Sequence, residues 1–259
     1  MFQRLGFQLY TIRDFMTDPD IADVAFAKLA KAGYSEVHTA GQYMSDEDLG
    51  ALCKKHNMSI IGSHYDYNKI VNDPEATMAV HDAWGTKNVG IGGMPKEARE
   101  NATALAEFID EFNRTAEIYA KRGFRLTYHH HNFEFARIDG YKTIMDLLVE
   151  NLDPKNTSFV LDTCWVSAGG GDVVAWIEKL AGRVDILHLK DMYLKKEDKK
   201  FYPAITEVGH GNVSFPAAIA AAKKIGVTNY IVEQDTNFSP NAIASLIFSA
   251  EYLKPLMDK

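Results

Sequence analysis

The chain has 259 residues with 28 Lys and Arg against 35 Asp and Glu, a formal net charge of −7. The acids are spread along its length, which disfavours binding to the phosphate backbone of nucleic acid. No run of about 18 apolar residues is present to cross a membrane, and no composition break divides the chain, so one domain over 1–259 is expected. Cys53 and Cys164 are too few and too isolated for a disulfide framework or a zinc knuckle, which fits a reducing, cytoplasmic compartment. Cys164 reads as a small buried thiol in preference to a nucleophile.

The first apolar run, Leu5 to Tyr10, breaks into Thr11, Arg13 and Asp14 and is read as a strand with no apolar leader ahead of it. Asp18-Pro19 opens a helix by N-cap and N1 proline, and Lys31-Ala32-Gly33 closes it with a basic last turn and a glycine. Glu36-Val37-His38 predicts the second strand. Ser45, followed by three acids, caps a helix through His56, and Met58 to His64 predicts the third strand. Asp73-Pro74 starts a helix that Gly85 ends. Asn88 to Ile91 is the fourth strand, followed by Gly92-Gly93, where bare backbone could approach a ligand although the spacing matches no phosphate loop. A long helix from Ala102 to Lys121 carries Leu105, Phe108, Ile109, Phe112, Ala116 and Tyr119 on one face and stops at Gly123.

The fifth strand then delivers Tyr128-His129-His130-His131-Asn132-Phe133-Glu134-Phe135, with three of the nine histidines of the chain. Tyr141 to Asn151 reads as helix, Thr157 to Asp162 as strand, Asp172 to Ala181 as helix, and Val184 to Lys190 as strand. A polar loop is expected from Asp191 to Asn212. Ser214-Phe215-Pro216 caps a helix to Ile225, Tyr230 to Glu233 is the last strand, and Ser239-Pro240 starts a helix ending near Leu253. Eight strand-like runs, each followed by a helical segment, imply parallel strands joined by right-handed crossovers. The turn after the first strand lacks the glycines of a nucleotide-binding open sheet, so the expected fold is α/β, a closed (β/α)8 TIM barrel.

In that fold the active site lies at the C-terminal ends of the strands. Gln8, His38, His64, His131 with Glu134, Asp162, His188 with Lys190, and Glu233 all stand where an apolar run stops. Any one of them alone also reads as a hydrogen-bonded structural residue, and a histidine run also occurs as a solvated tract. Glu134, Asp162, His188 and Glu233 together would repel one another unless a cation sat among them. Three carboxylates, one imidazole and no sulfur suit one divalent ion, Mn²⁺ first, with Mg²⁺, Co²⁺, Fe²⁺ or Zn²⁺ as alternatives.

Four motifs carry a resemblance. The run 128–135 resembles the fifth-strand HNHxxEF-type signature of the xylose-isomerase-like barrel superfamily of sugar phosphate isomerases, epimerases and AP endonucleases of family 2. Leu161-Asp162-Thr163 looks like its sixth-strand metal aspartate, His188-Leu189-Lys190-Asp191 like its seventh-strand HxKD, and Val232-Glu233-Gln234-Asp235 like its eighth-strand glutamate. The resemblance implies Glu134, Asp162, His188 and Glu233 as metal ligands. Two departures stand out: several members begin the fifth-strand run with the glutamate where this chain has His129 or its neighbours, and Trp165 stands where the endonuclease branch carries a histidine. A single metal is implied, with Trp165 as an apolar wall against a sugar ring.

The resemblance and the metal set together imply aldose–ketose isomerisation or epimerisation through an enediolate. Glu134 and Glu233 are the expected catalytic pair, with His64, His129, His131, Trp165, Lys190 and His210 binding the carbohydrate and Lys190 a candidate anchor for an anionic group. The alternative begins with the same proton removal and ends in β-elimination, as in an inosose dehydratase or an enzyme acting on 3-keto-glycosides. A barrel that binds sugar without turnover is a third reading, opposed by the intact ligand set, and DNA repair is opposed by Trp165 and the charge. The run Lys195 to Lys200 reads as solvated or as a flap over a phosphate. Related barrels often associate, so a homo-oligomer is a further expectation.

Overall fold

Short apolar runs rich in β-branched and aromatic residues become eight parallel strands: β1 Arg4–Gln8, β2 Glu36–Ala40, β3 Ser59–His64, β4 Asn88–Ile91, β5 Arg125–His129, β6 Thr157–Asp162, β7 Val184–Leu189 and β8 Asn229–Val232. They pair in the order β3-β2-β1-β8-β7-β6-β5-β4, and the ends approach where the Tyr65 N–H donates to Gly90 O at 2.7 Å. The sheet therefore curls into a nearly closed TIM barrel. A Cβ on Gly90 would lie 2.3 Å from Thr127 Oγ1 and 2.5 Å from Ser63 O, so only glycine lets β4 sit this close to its neighbours. This computed structural model describes residues 4–41 and 43–257. The ends of the expected domain, including residues 1–3 on which the reading of a leaderless chain rests, lie outside the described residues.

The helix signals hold at three caps, whereas Phe215–Lys224 starts without a side-chain bond from Ser214 and the last helix, Ala242–Met257, starts behind Asn241 instead of Ser239. Asp18 accepts from the Asp20 and Ile21 N–H groups to start Pro19–Ala32, and Gly33 ends it at φ 100°. Ser45 caps Asp46–Lys55 and Asp73 caps Pro74–Trp84. The helix expected from Tyr141 starts later, at Ile144, because Thr143 and Asp146 form a reciprocal capping box and Lys142–Thr143 pairs with Arg137–Asp139.

The expected polar loop is the larger difference. Asp191–Glu197 and Lys200–Thr206 form an antiparallel hairpin, turning at Asp198 and Lys199 with φ 47° and 67°. Two consecutive positive φ values are the mark of a type I′ turn, here without the usual Asn-Gly signal.

Outward-facing strand residues pack on the helices in the main core, which holds Phe7, Phe26, Phe112, Tyr128, Phe159 and Phe215. Inward-facing Val160, Ile186 and Ile231, with Ile61 against them, plug the lumen. Polar side chains stand above that plug. Among the described residues no helix is long and apolar enough to cross a membrane.

Candidate active site

Side chains alternate along a strand, so the inward residues at the strand ends must meet above the apolar plug. His129 ends β5, Asp162 ends β6, His188 lies near the end of β7, and Glu233 follows β8. Each of the four is buried and offers one ligand atom, and those atoms lie within 4.8 Å of one another. His188 Nδ1 is 2.9 Å from Glu233 Oε2 and 3.9 Å from Asp162 Oδ2, while His129 Nε2 is 3.5 Å from Asp162 Oδ2. Asp162 Oδ1 caps the helix Thr163–Ala168 by accepting the Trp165 N–H at 3.0 Å, which leaves Oδ2 facing the cluster with no hydrogen-bond partner.

Neighbouring groups set the imidazole tautomers. His129 Nδ1 is 3.2 Å from Gly92 O, and only a protonated nitrogen can bond a carbonyl, so Nε2 presents its lone pair to the cluster. The Gln8 amide nitrogen lies 2.9 Å from His38 Nδ1 and must donate to it. His188 Nε2 also lies 2.9 Å from that atom, and His188 Nδ1 lies at hydrogen-bond distance, 2.9 Å, from Glu233 Oε2. Two ring nitrogens and two carboxylate oxygens thus converge, and His129 Nε2 and Asp162 Oδ2 are buried without partners. This set of two nitrogens and two oxygens fits a divalent cation, and each imidazole has a contact on its other nitrogen, as metal-binding histidines do.

Three expected ligands, Asp162, His188 and Glu233, therefore come together, with His129 as the fourth. Glu134 stands apart from them. It lies beyond the strand end, in the turn Phe133–Phe135, where Oε1 accepts the Tyr128 hydroxyl at 2.6 Å and Oε2 accepts the His131 N–H at 2.8 Å. Burial pushes its carboxyl up to about 7 against those hydrogen bonds. Strict alternation along β5 was the signal available for His129: Tyr128 points outward into the aromatic core, so its neighbour must point in.

A cavity of about 260 Å³ opens beside the cluster, with His64, Gly92, His129, His131, Lys190, Glu233 and Asp235 among its lining residues. His64 Nε2 and His131 Nδ1 are buried without partners there. Burial, with nearby positive charge, lowers the two imidazoles to about 3 and about 4, so both are neutral at pH 7. Lys190 is 1 % exposed and lies 2.6 Å from Asp235, 3.4 Å from Glu233 and 3.8 Å from Asp162. Burial alone would lower its pKa, but the three carboxylates raise it instead. An ammonium neutralised three times over is no free anchor for an anion, and Asp235, which the sequence reading left without a role, is its nearest partner.

Trp165 packs against His131 at 5.5 Å between ring centres and under the Lys190 ammonium at 4.5 Å, outside the lining of this cavity. His210 is exposed beside Phe248 and is likewise not a lining residue. Its loop is held by Asp191, whose carboxylate accepts the N–H groups of Met192, Gly209, Gly211 and Val213 at 2.8–3.1 Å. His130 ties the turn together, with Nδ1 donating to His131 O at 3.1 Å and Nε2 accepting the Asp162 N–H at 3.0 Å.

The family model described as xylose isomerase-like TIM barrel matches residues 26–254. An inosose dehydratase of Mesomycoplasma hyopneumoniae is 26% identical over 215 residues, 74% of this chain and 67% of that protein. Matches to inosose dehydratases cover from 45% to 67% of those relatives, so the chain spans between about half and two thirds of their length. Among solved structures, a sugar phosphate isomerase/epimerase from Parabacteroides distasonis superposes with a TM-score of 0.82 at 22% identity, covering 98% of this chain and 99% of that one. The probable 3-DHS dehydratase of Bacillus anthracis superposes with a TM-score of 0.72 at 13% identity, covering 96% and 98%. At these identities the two structures speak for the fold.

Proposed function

Because the chain belongs to the xylose isomerase-like TIM barrel family, we propose that it is a metal-dependent dehydratase that removes a proton beside the carbonyl of a keto-sugar or keto-inositol and expels the β-hydroxyl as water. The observation that carries this reading is the parting of the two expected glutamates. Glu233 lines the cavity, whereas Glu134 is bound to Tyr128 and the His131 backbone. With Asp235 held by Lys190 at 2.6 Å, a single glutamate beside neutral imidazoles suits a reaction with one base and one hydrogen-bond donor for the leaving group.

A divalent ion held by His129, Asp162, His188 and Glu233 would stabilise negative charge developing on the carbonyl oxygen. The second nitrogen in the set brings Zn²⁺, Co²⁺ and Fe²⁺ level with Mn²⁺ as candidates. Glu233 is assigned to take the proton, since Lys190 and His188 hold it ionised although burial alone would raise its pKa. His131, neutral and unpartnered at Nδ1, is assigned to hydrogen-bond the departing hydroxyl, which leaves as water with the abstracted proton. The inosose dehydratase relatives support the same outcome.

Isomerisation or epimerisation starts with the same proton removal and is the second reading, because Glu233 and His131 share one cavity and either can return a proton. Incubating the metal-loaded protein with ketoses and inososes in D₂O, followed by mass spectrometry, separates the outcomes. Loss of water with a new unsaturated product is expected; deuterium incorporation without water loss would favour the isomerase. Absence of both across the panel would sink proton abstraction altogether. The free, buried Cys53 and Cys164 support a reducing compartment for this activity.

A further inference from the structure

A second chamber of about 280 Å³ adjoins the first, and the two share Gly92 and His131. Tyr65, Tyr67, Arg99 and Phe133 help to line it. We propose that this chamber receives an anionic substituent of the substrate, a carboxylate or a phosphate, and that Arg99 is the group that binds it. The proposal rests on the functional reading above and narrows its substrate class.

Arg99 is a half-buried cation held ready. One Nη donates to Met94 O at 3.3 Å, and the guanidinium centre lies 3.8 Å over the Phe133 ring. Its Nε is buried and has no hydrogen-bond partner, and among the described residues no carboxylate forms an ion pair with it. The carboxylate whose charge it feels, Glu134, has both oxygens engaged by Tyr128 and the His131 N–H. Tyr65 and Tyr67 donate their hydroxyls to Asp46 and Glu111, so they present rings and no free hydrogen to the chamber. Lys190, by contrast, is surrounded by carboxylates. A partly desolvated guanidinium with free donors and one face stacked on an aromatic ring is matched by a carboxylate or phosphate, which its planar fork can bind through two parallel hydrogen bonds.

Bare backbone lies where the two chambers meet, at Gly92. A Cβ on Gly92 would stand 3.3 Å from His64 Nδ1, and one on Gly93, at φ 151°, 3.4 Å from the His131 ring. A substrate with its carbonyl at Glu233 can therefore lay its other end past His131 toward Arg99.

The test measures binding, by calorimetry, of D-fructose, D-fructose 6-phosphate and D-glucuronate to the metal-loaded wild type and to Arg99→Gln and Arg99→Lys. At least one anionic probe should bind about tenfold more tightly than D-fructose to the wild type. Arg99→Gln should abolish that advantage with D-fructose affinity unchanged, and Arg99→Lys should keep part of it. Which anion is favoured distinguishes a phosphate from a carboxylate. The proposal is overturned if neither anion binds better than D-fructose to the wild type, a comparison that needs no variant to fold, or if Arg99→Gln keeps the preference. Turnover is not read, so failure of dehydration would not decide this result.

Discussion

The Tyr128 hydroxyl donates to Glu134 Oε1 across 2.6 Å, and this contact, with the His131 N–H on Oε2, engages both carboxylate oxygens of Glu134 within the turn that carries His131. Glu134→Gln should keep the full metal content of the protein and lose about 1–2 kcal/mol of stability, since an amide N–H₂ would face one of the two donors. Elemental analysis and urea denaturation read the two effects separately. Loss of bound metal from a folded variant would return Glu134 to the ligand set.

His129→Ala removes a nitrogen of the proposed cluster and should weaken divalent-ion binding by at least about 100-fold, whereas His38→Ala, which removes the contact on the outer nitrogen of His188, should weaken it by about 10–100-fold. Calorimetric titration of the metal-free proteins checks the order. Wild-type affinity in His129→Ala would refute the four-residue set.

Glu36 begins β2 at the opposite end of the barrel, is 4 % exposed, and has an oxygen without a partner. Burial raises its carboxyl from 4.5 to about 7, partly offset by Arg4. The folded state holds this proton more tightly than the unfolded one, so the contribution to stability is fully present below about 4.5 and is lost as pH rises through about 7. Glu36→Gln should be more stable than wild type by roughly 2 kcal/mol at pH 8 and little different at pH 4. Urea midpoints at the two pH values decide it, and a wild type that gains on the variant with rising pH would contradict it.

Asp191 accepts four backbone N–H groups from both ends of the hairpin loop. Asp191→Ala leaves those donors unpaired and should cost about 3 kcal/mol or more. Hydrogen exchange should show the opening concentrated at 207–213; uniform loss of protection along the chain would mean that the carboxylate supports the barrel generally.

Much of the barrel is written locally. Asp18-Pro19, Ser45 and Asp73-Pro74 are legible because a cap is a contact between residues two or three apart. The hairpin Asp191–Thr206 was not, because Asp198 and Lys199 adopt positive φ without the glycine that usually announces such a turn. Arg99 and Asp235 gave no signal either: each draws its meaning from an absence or presence of charge contributed by distant strands.

By itself, then, the sequence determined eight alternating strands and helices and three of the four residues that meet above the lumen, because period and caps are local properties of the chain. Only the tertiary structure decided that His129 stands beside Asp162, His188 and Glu233, that Lys190 is neutralised by Asp162, Glu233 and Asp235, and that no carboxylate among the described residues forms an ion pair with Arg99. Distances between side chains from different strands depend on register and closure, and a single chain read in order carries no measure of either.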